Sequence, residues 1–281
     1  TSLIVGANLL LFYILSSQIS DILSFYHKIK ADWTYLCNTM DEIIQCIDAG
    51  NTAIKLGVFK QNELQEIQRF DSFETLSKHL SSEYPIVLAS VREDGFAMQL
   101  KENFSIYEIT PQSKTPFHNQ YQNNLGADRL CNVAGMYARM KKNNLVSGGI
   151  TVDIGTCVKF DYLNDAFNYV GGSISPGISL RLKSLNDYTA RLPLLIAPDH
   201  QVSLYGNTTS SSIYSGVMGG IKGEIVARIA EFRKLNANTA VFITGGDAHY
   251  FDFEQKNGIF ADENLTLKGI HEIYVFNALH S

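Results

Sequence analysis

Short apolar runs alternate with longer amphipathic segments along the chain, and this pattern predicts strands interleaved with helices. After the first 39 residues, Ile43–Ile47 and Ile54–Phe59 fit two strands joined by a turn at Asp48–Thr52. Apolar runs at Pro85–Ser90 and Phe104–Ile109 flank a predicted helix. Strands and helices that alternate in this way are typical of α/β folds.

The second half of the chain continues the alternation. Its predicted elements are a helix at Asp128–Lys141, strands at Leu145–Asp153, Thr156–Phe160 and Phe167–Gly171, helices at Ser175–Leu185 and Ser211–Leu235, and a buried strand at Ala240–Thr244. A Gly-Gly turn follows the last strand. This order of elements repeats the scheme of the first half.

Two stretches resemble each other and indicate an internal duplication. Ile47–Phe59 (IDAGNTAIKLGVF) and Val152–Leu163 (VDIGTCVKFDYL) each contain an apolar residue, Asp, one further residue, Gly and then Thr before an alternating strand. Such echoes are typical of a repeated structural unit. With 281 residues, the chain is long enough for two compact domains. We therefore predict an N-terminal domain at 40–150, a C-terminal domain at 151–281 and a cleft between them.

The first 39 residues do not fit this scheme. They open with an apolar run, but Lys28 and Lys30 follow it, whereas a secretory signal has its positive charge in front. The run is also short, and interrupted by polar residues, for a membrane-spanning helix. Because Met40 directly precedes DEIIQCIDAGNT, we interpret residues 1–39 as an upstream extension or a mistaken start outside the fold. A membrane or partner-binding helix is the alternative.

Composition narrows the functional classes. The net charge of -5 argues against broad electrostatic attraction to nucleic acid. The four cysteines form no CxxC pair and no cluster with histidine. We therefore expect reduced thiols in a cytoplasmic protein, with neither a disulfide framework nor a zinc site. These cysteines are Cys37, Cys46, Cys131 and Cys157. Separately, we expect no membrane contact.

The turn after the first predicted strand has the residues that a phosphate site needs. A phosphate binds several convergent N–H donors, and a glycine turn supplies them because no Cβ blocks the approach. Gly50 permits such a turn, while Asn51 and Thr52 can add side-chain donors. Asp48, at the strand end, could hold Mg²⁺ directly or through water. A hairpin turn without a ligand explains the same residues.

A second turn of the same kind, Asp153–Thr156, follows a strand in the other half, and Asp161 lies further along the next strand. Two such turns facing each other would grip the phosphate tail of ATP from both sides. A plain hairpin turn is again the alternative, but it accounts less well for the two turns together. The sequence contains no GxxxxGKS or GxxxxGKT loop, which excludes a P-loop mechanism.

Between the two turns, the segment Asn124–Arg129 places Asp128 at the start of a predicted helix. One interpretation is that Asp128 only caps the helix or is an acid of its first turn. The other is that it accepts the proton of a substrate hydroxyl, because a helix N-terminus favours an ionised carboxylate. Arg129 can bind an anion or a structural carboxylate. Further on, Thr244–Asp247 follows a buried strand, and its two glycines would let a flat base lie against the backbone.

Taken in order, the motifs DAGNTAIK, GADR, DIGTCVKFD, GGSISPG and TGGDA resemble those of type III pantothenate kinases. The resemblance covers about Met40 to Asn277, and GADR between the two Asp–Gly turns separates this family from longer sugar kinases and from actin relatives. It implies a duplicated ribonuclease H-like (actin-like kinase) fold, with two similar domains and a cleft between them. It also implies a homodimer, ATP, Mg²⁺ and a monovalent cation, K⁺ or NH₄⁺.

The resemblance also implies roles for individual residues. Asp128 would be the catalytic base, Thr156 would contact ATP, and Asp153 would bind the monovalent cation. The first phosphate loop would comprise Asp48, Ala49, Gly50, Asn51, Thr52, Ala53, Ile54 and Lys55. The pantothenate site would be lined by Gly126, Ala127, Asp128, Arg129 and Thr209, with the adjacent Thr208 as the alternative to Thr209.

One position departs from the family pattern. The family usually has a Tyr seven positions before the Gly of GADR, often followed by Pro, whereas Tyr121 lies only five before Gly126 and has no Pro after it. A loop shortened by two residues explains the difference, and we assign Tyr121 to the substrate site. A disrupted pocket, and with it a poorly active relative, is the alternative.

The activity implied by the resemblance is transfer of the γ-phosphoryl group of ATP to pantothenate. The product would be 4′-phosphopantothenate, the first intermediate of coenzyme A biosynthesis. Two other functions stay open: another small-molecule kinase of the same superfamily, and a regulatory protein without kinase activity, since some family members were first described as accessory factors for transcription. The presence of Asp48, Asp128 and Asp153 together favours the enzyme.

Overall fold

The computed structural model describes residues 43–122, 124–253 and 258–280, so the interpretation of residues 1–39 lies outside the described part. The first sheet contains five strands: β1 (Ile43–Ala49), β2 (Ile54–Lys60), β3 (Glu63–Phe70), β4 (Ile86–Ser90) and β5 (Ile106–Glu108). Their order is β3-β2-β1-β4-β5. The first three strands pair antiparallel, whereas β4 and β5 run parallel to β1.

The second sheet contains β6 (His118–Asn119), β7 (Gly149–Ile154), β8 (Cys157–Leu163), β9 (Asn168–Pro176), β10 (Ala240–Thr244) and β11 (Ile259–Ala261). Their order is β11-β10-β7-β8-β9-β6. β7, β8 and β9 pair antiparallel, whereas β10 and β11 run parallel to β7. Apart from the two-residue β6, this is the order and polarity of the first sheet. The predicted duplicated α/β fold is therefore confirmed.

The helices are α1 (Phe73–Ser77), α2 (Phe96–Asn103), α3 (Ala127–Lys142), α4 (Ile178–Asp187), α5 (Thr209–Leu235) and α6 (Leu265–Leu279). The central strands are buried on both faces, which is typical of sheets that helices cover on both sides. All of β10 is buried, and so is β1 from Ile44 to Ile47. In each sheet the first central strand carries an Asp near its end, Asp48 in β1 and Asp153 in β7.

Helices α3 and α6 connect the two sheets. They pack against each other, while α3 also packs on β7 and β8, and α6 packs on β1 and β2. Two glycines allow this approach: a Cβ on Gly269 would lie 1.7 Å from the Cys131 carbonyl oxygen, and a Cβ on Gly135 would lie 2.3 Å from that of Leu265. Because these helices contact both sheets, the domain limits 40–150 and 151–281 stay a prediction.

Several predicted boundaries differ from the structure. All but the last residue of the GGSISPG segment belongs to β9, because these residues pair with β8 up to Pro176. Gly177 caps α4, which begins only at Ile178. The strand predicted from Leu145 begins at Gly149, since Asn144 and Gly148 adopt positive φ angles of 54° and 75° and turn the chain first. The largely polar β3 and the very short β6 and β11 were not predicted.

The described cysteines, Cys46, Cys131 and Cys157, are free thiols. The first two are buried, and burial raises the pKa of both well above its usual value. Within the described ranges, none of the helices combines the length and apolar character needed to cross a bilayer.

Candidate active site

The structure brings together the two turns that were predicted to bind phosphate. One joins β1 to β2 and the other joins β7 to β8. The hydroxyl oxygens of Thr52 and Thr156, one from each turn, lie 3.5 Å apart, and both residues are exposed. In the first turn Asn51 is exposed as well, whereas Ala49 and Ile54 are buried in the core. Those two residues could therefore offer a ligand only their backbone.

Asp48 lies near the end of β1, close to the first turn. Within the described residues its carboxylate has no hydrogen-bond or ion-pair partner. Burial raises its pKa from 3.8 to about 6, Lys55 and Lys159 oppose this shift, and the nearby Asp153 and Asp128 carboxylates add to it. Asp48 is thus an open carboxylate in a strongly acidic region.

Lys159 lies at the centre of that acidic region. Its Nζ donates to Asp128 Oδ2 at 2.6 Å and lies 2.7 Å from Asp153 Oδ2. The same Asp153 oxygen accepts a hydrogen bond from Asn132 Nδ2 at 3.1 Å, and Asn132 is in turn held by the Thr266 hydroxyl at 2.7 Å. Burial acts to lower the pKa of Lys159, but the two carboxylates outweigh it and raise that pKa above its usual value.

Asp128 occupies the first turn of α3, as predicted. Its Oδ1 accepts a hydrogen bond from the backbone N–H of Arg129 at 2.8 Å, and Oδ2 takes the Lys159 ammonium. A Cβ on Gly126 would lie 2.7 Å from Asp128 Oδ1, so this position needs glycine for the carboxylate to keep its place. Both carboxylate oxygens are thus fixed at the helix N-terminus.

Arg129 is buried and binds a structural carboxylate. Its Nε and Nη2 donate to Asp161 Oδ1 at 3.0 and 2.6 Å, and the Tyr169 hydroxyl donates to the same oxygen at 2.7 Å. Arg129 Nη1 reaches the Tyr121 hydroxyl at 3.2 Å, and the Tyr121 and Tyr169 rings are stacked. The shortened loop therefore still places Tyr121 beside the GADR segment.

A cavity of about 370 Å³ opens beside the Gly-Gly turn after β10. Its walls include Lys55, Thr244, Gly245, Gly246 and Glu263. Gly245 has a φ of 100°, and a Cβ there would lie 2.2 Å from the Ile154 carbonyl oxygen of the second turn. The glycine thus lets the end of β10 pack directly on the turn that carries Thr156.

Thr209 lies apart from this cluster. It is the first residue of α5, which begins with a capping box between Thr208 and Ser211. Thr208 and Thr209 line a cavity of about 1060 Å³ with residues such as Arg181 and Gly216, and none of Asp48, Asp128 and Asp153 borders it.

The side chains of the acidic cluster suit the two ions that the resemblance implies, Mg²⁺ and a monovalent cation, to different degrees. Asp48 fits Mg²⁺, since its oxygens have no protein partner and this ion is commonly bound by one or two carboxylates together with phosphate oxygens and water. No group of three or more His, Cys, Asp or Glu side chains in the described residues could hold a metal ion by itself. Asp153 fits a monovalent cation poorly, because the Lys159 ammonium already balances its charge and shares Oδ2 with the Asn132 amide.

Three members of the site were not predicted from the sequence: Lys159, Asn132 and Tyr169. One signal could have revealed Lys159: in the β7–β8 hairpin it pairs directly with Asp153, as Lys55 pairs with Asp48 in the first hairpin. Each of the echoing segments contains this lysine, so the repeat extends beyond the Asp, Gly and Thr. Asn132 and Tyr169 had no comparable signal, because Asn132 contacts Asp153 and Tyr169 contacts Arg129, both of which come from distant segments.

Comparison with known proteins agrees with this geometry. The model of the type III pantothenate kinase family matches residues 44–231, more than half of the chain. This chain belongs to the type III pantothenate kinase family. The type III pantothenate kinase of Flavobacterium psychrophilum is 38% identical over 245 residues, which cover 83% of this chain and 99% of the relative. That of Flavobacterium johnsoniae is 35% identical over 245 residues, covering 83% and 98%.

Among solved structures, one from Campylobacter jejuni bears the provisional description of a conserved Baf family transcriptional activator. It superposes with a TM-score of 0.56 at 22% sequence identity, covering 83% of this type III pantothenate kinase family member and 98% of the other chain. At that identity the likeness concerns the fold alone, and it agrees with the two sheets described above.

Proposed function

We propose that this family member transfers the γ-phosphoryl group of ATP to the primary hydroxyl of pantothenate and so begins coenzyme A biosynthesis. The observation that carries the proposal is the convergence of three carboxylates from separate elements. Asp128 and Asp153 share the Lys159 ammonium, and both carboxylates act on the pKa of Asp48. The relatives named as pantothenate kinases match nearly their whole length, which supports the same substrate.

The nucleotide would lie along the two turns. We place its phosphates between the Asp48–Thr52 turn and Thr156, whose hydroxyl faces that of Thr52. The nucleoside would occupy the cavity beside Gly245 and Gly246. Mg²⁺ bound at Asp48 would neutralise charge on the phosphate oxygens. Catalysis would then depend mostly on alignment and charge neutralisation, since phosphoryl transfer demands little covalent help from the protein.

Asp128 would act as the general base. As the hydroxyl oxygen of pantothenate forms its bond to the γ-phosphorus, the bond from that phosphorus to the β–γ bridging oxygen breaks and ADP leaves. The hydroxyl proton passes to the Asp128 carboxylate. The contacts from Arg129 N–H and Lys159 hold this carboxylate still, which favours a productive approach of the hydroxyl.

The pantothenate pocket would be built around the GADR segment. Gly126 and Ala127 lie directly before the base, and Tyr121 lies beside Arg129. Because Arg129 is committed to Asp161, we propose that it serves the pocket mainly by holding Tyr121 and Tyr169 in place. This role fits a charged side chain that is 5% exposed.

A homodimer would explain why Thr209 lies apart from Asp128. Between α4 and α5, Tyr188, Ile196, Leu204 and Tyr205 are each at least 80% exposed, an unusual number of large apolar side chains for a free surface. We propose that they contact a second copy, which would bring its own Thr209 to the site.

Light scattering on purified protein should then give twice the chain mass. Mixing Asp128→Asn with Thr209→Ala protein should restore activity that neither variant has alone.

The decisive experiment measures ADP release by the full chain with Mg²⁺, ATP and K⁺ or NH₄⁺, in the presence and absence of pantothenate. We expect release that depends on pantothenate, together with 4′-phosphopantothenate detected by mass spectrometry. A panel of other alcohols tests the alternative of a different small-molecule kinase. Equal ADP release with and without pantothenate would contradict the proposal, as would failure to complement a strain that lacks pantothenate kinase. We further propose a cytoplasmic location, in agreement with the free thiols of the three cysteines that the structure describes.

A further inference from the structure

The Asp153 carboxylate is the position at which the resemblance implied a monovalent cation, and a side chain already occupies it. Lys159 Nζ lies 2.7 Å from Asp153 Oδ2 and 2.6 Å from Asp128 Oδ2. A second donor, Asn132 Nδ2, reaches the same Asp153 oxygen at 3.1 Å. The ammonium therefore bridges two carboxylates that would otherwise repel each other, as a bound cation would.

The backbone delivers Lys159 to this place. Asp153 and Lys159 pair directly across the antiparallel β7–β8 hairpin, so their side chains point to the same face. Asp128 reaches the pair from the N-terminus of α3, which packs on both strands. The Lys159 side chain is 17% exposed, and no part of this arrangement depends on a flexible loop.

The chemistry of a lysine head group suits the replacement. It is a compact cation with three N–H donors. Like K⁺ and NH₄⁺, it carries a single positive charge. Two of its donors are engaged by Asp128 and Asp153. The pKa of Lys159 lies above its usual value, so the group carries its charge throughout the physiological range. A second cation on Asp153 would lie within a few ångströms of that charge, and the repulsion between the two cations would oppose its binding.

We propose that Lys159 is a built-in cation that takes the place of K⁺ or NH₄⁺ at Asp153, so that this enzyme needs no monovalent ion. The inference rests on the proposed kinase function, because it concerns the charge balance of the same site. Lys159 thereby neutralises Asp153 and positions Asp128. Its own contact with the transferred phosphoryl group is not required for this role.

The wild-type protein tests the proposal without any mutation. Pantothenate-dependent ADP release is measured in K⁺, NH₄⁺, Na⁺ and tetramethylammonium chlorides at equal ionic strength. We expect rates that agree within about twofold across the four salts, because no site discriminates among them. A rise of about tenfold or more in K⁺ or NH₄⁺ over tetramethylammonium would overturn the proposal.

Removing the Lys159 ammonium should make turnover depend on K⁺ or NH₄⁺. Lys159→Ala is expected to lose about 10²-fold or more in kcat without K⁺ or NH₄⁺ and to regain at least about tenfold when either ion is added to saturation. Lys101→Ala, which removes an exposed lysine on α2 that pairs with Glu108, is the matched control and should respond to no ion. Equal kcat values for Lys159→Ala in all four salts would contradict the cation role.

A binding measurement separates this inference from the proposed reaction. The melting temperature of wild type should be the same in all four chlorides, whereas that of Lys159→Ala should rise saturably with K⁺ or NH₄⁺ as an ion fills the emptied site. This readout needs no turnover. A wild-type protein that is inactive in every salt would therefore count against the kinase, while a specific K⁺ or NH₄⁺ stabilisation of wild type would count against the built-in cation.

Discussion

Lys55 pairs directly with Asp48 across the β1–β2 hairpin, but no hydrogen bond or ion pair joins their side chains in the described part of the chain. The Lys55 Nζ lies instead 3.5 Å from the Glu263 carbonyl oxygen. In the second hairpin the corresponding pair, Asp153 and Lys159, is closed at 2.7 Å. The duplicated hairpins thus use the same pair differently: the first leaves a carboxylate open and the second neutralises one.

The open carboxylate leads to a prediction about pH and stability. The folded-state pKa of Asp48 is raised from 3.8 to about 6, so the fold favours its protonated form, and that stabilisation is lost as pH rises through about 6. Asp48→Asn should therefore stabilise the ligand-free protein at pH 7–8 by about 1–3 kcal/mol, raising its Tm by several degrees. The same variant should lose most of its affinity for Mg²⁺ with ATP, because the amide is a poor metal ligand.

Thermal unfolding of the Asp48 variant from pH 5 to 8, with and without Mg²⁺ and ATP, checks both effects. Asp71→Asn, which changes an exposed carboxylate, serves as the control and should follow wild type throughout. The Tm advantage of Asp48→Asn should shrink as the pH falls toward 5. An Asp48→Asn protein no more stable than wild type at pH 8 would show that the burial of this charge is not costly.

Removal of the proposed base should separate turnover from nucleotide binding. Asp128→Asn keeps the size of the side chain and the contact with the Arg129 N–H, but it cannot accept the hydroxyl proton. We expect kcat to fall by about 10²–10⁴-fold. The Kd for ATP, measured by calorimetry, should remain near that of wild type. Turnover close to wild type would remove Asp128 from the base role.

The adjacent glycines after β10 make a matched pair. A Cβ on Gly245 would lie 2.2 Å from the Ile154 carbonyl oxygen at a φ of 100°, so Gly245→Ala should destabilise the protein by about 2 kcal/mol or more. A Cβ on Gly246 meets nothing within 4 Å. Gly246→Ala should therefore leave the Tm nearly unchanged and weaken ATP binding, because its methyl group would crowd the nucleoside. Equal Tm losses in the two variants would contradict this division.

The Arg129–Asp161 pair should behave as a structural unit. Asp161 is fully buried and Arg129 nearly so, so Asp161→Leu leaves an uncompensated buried cation and should cost about 3–5 kcal/mol of unfolding free energy. Urea unfolding should show that the double variant Arg129→Met with Asp161→Leu recovers much of this loss. If Arg129→Met alone were as stable as wild type but bound pantothenate poorly, Arg129 would be a direct substrate ligand instead.

Much of the candidate site could be predicted from local sequence. The turns at Asp48 and Asp153 were placed correctly because a glycine after a strand end, followed by a second alternating run, specifies a hairpin over about a dozen residues. Asp128 was placed at a helix start for a similar reason, since its position is marked by the residues next to it. The duplication was visible because both hairpins retain the same short pattern.

Other features depended on contacts between distant segments. The partner of Arg129 was left open between an anion and a carboxylate, and only the pairing of β8 with β9 brings Asp161 and Tyr169 to it. The end of β9 was predicted wrongly, at Gly171. Hydrogen bonding with β8 extends the strand past its glycines to Pro176. Thr209 matched a family position, but the fold placed it beside another cavity.

Local sequence specified the two Asp–Gly hairpin turns and the acid at the start of α3, because each depends on neighbouring residues and on backbone conformation. That Asp128 and Asp153 meet at one lysine depends instead on tertiary packing. That meeting requires the register of the β7–β8 hairpin and the packing of α3 on β7 and β8. Charge pairing in a folded protein is set by such long-range packing, which a pattern of residue types along the chain does not specify.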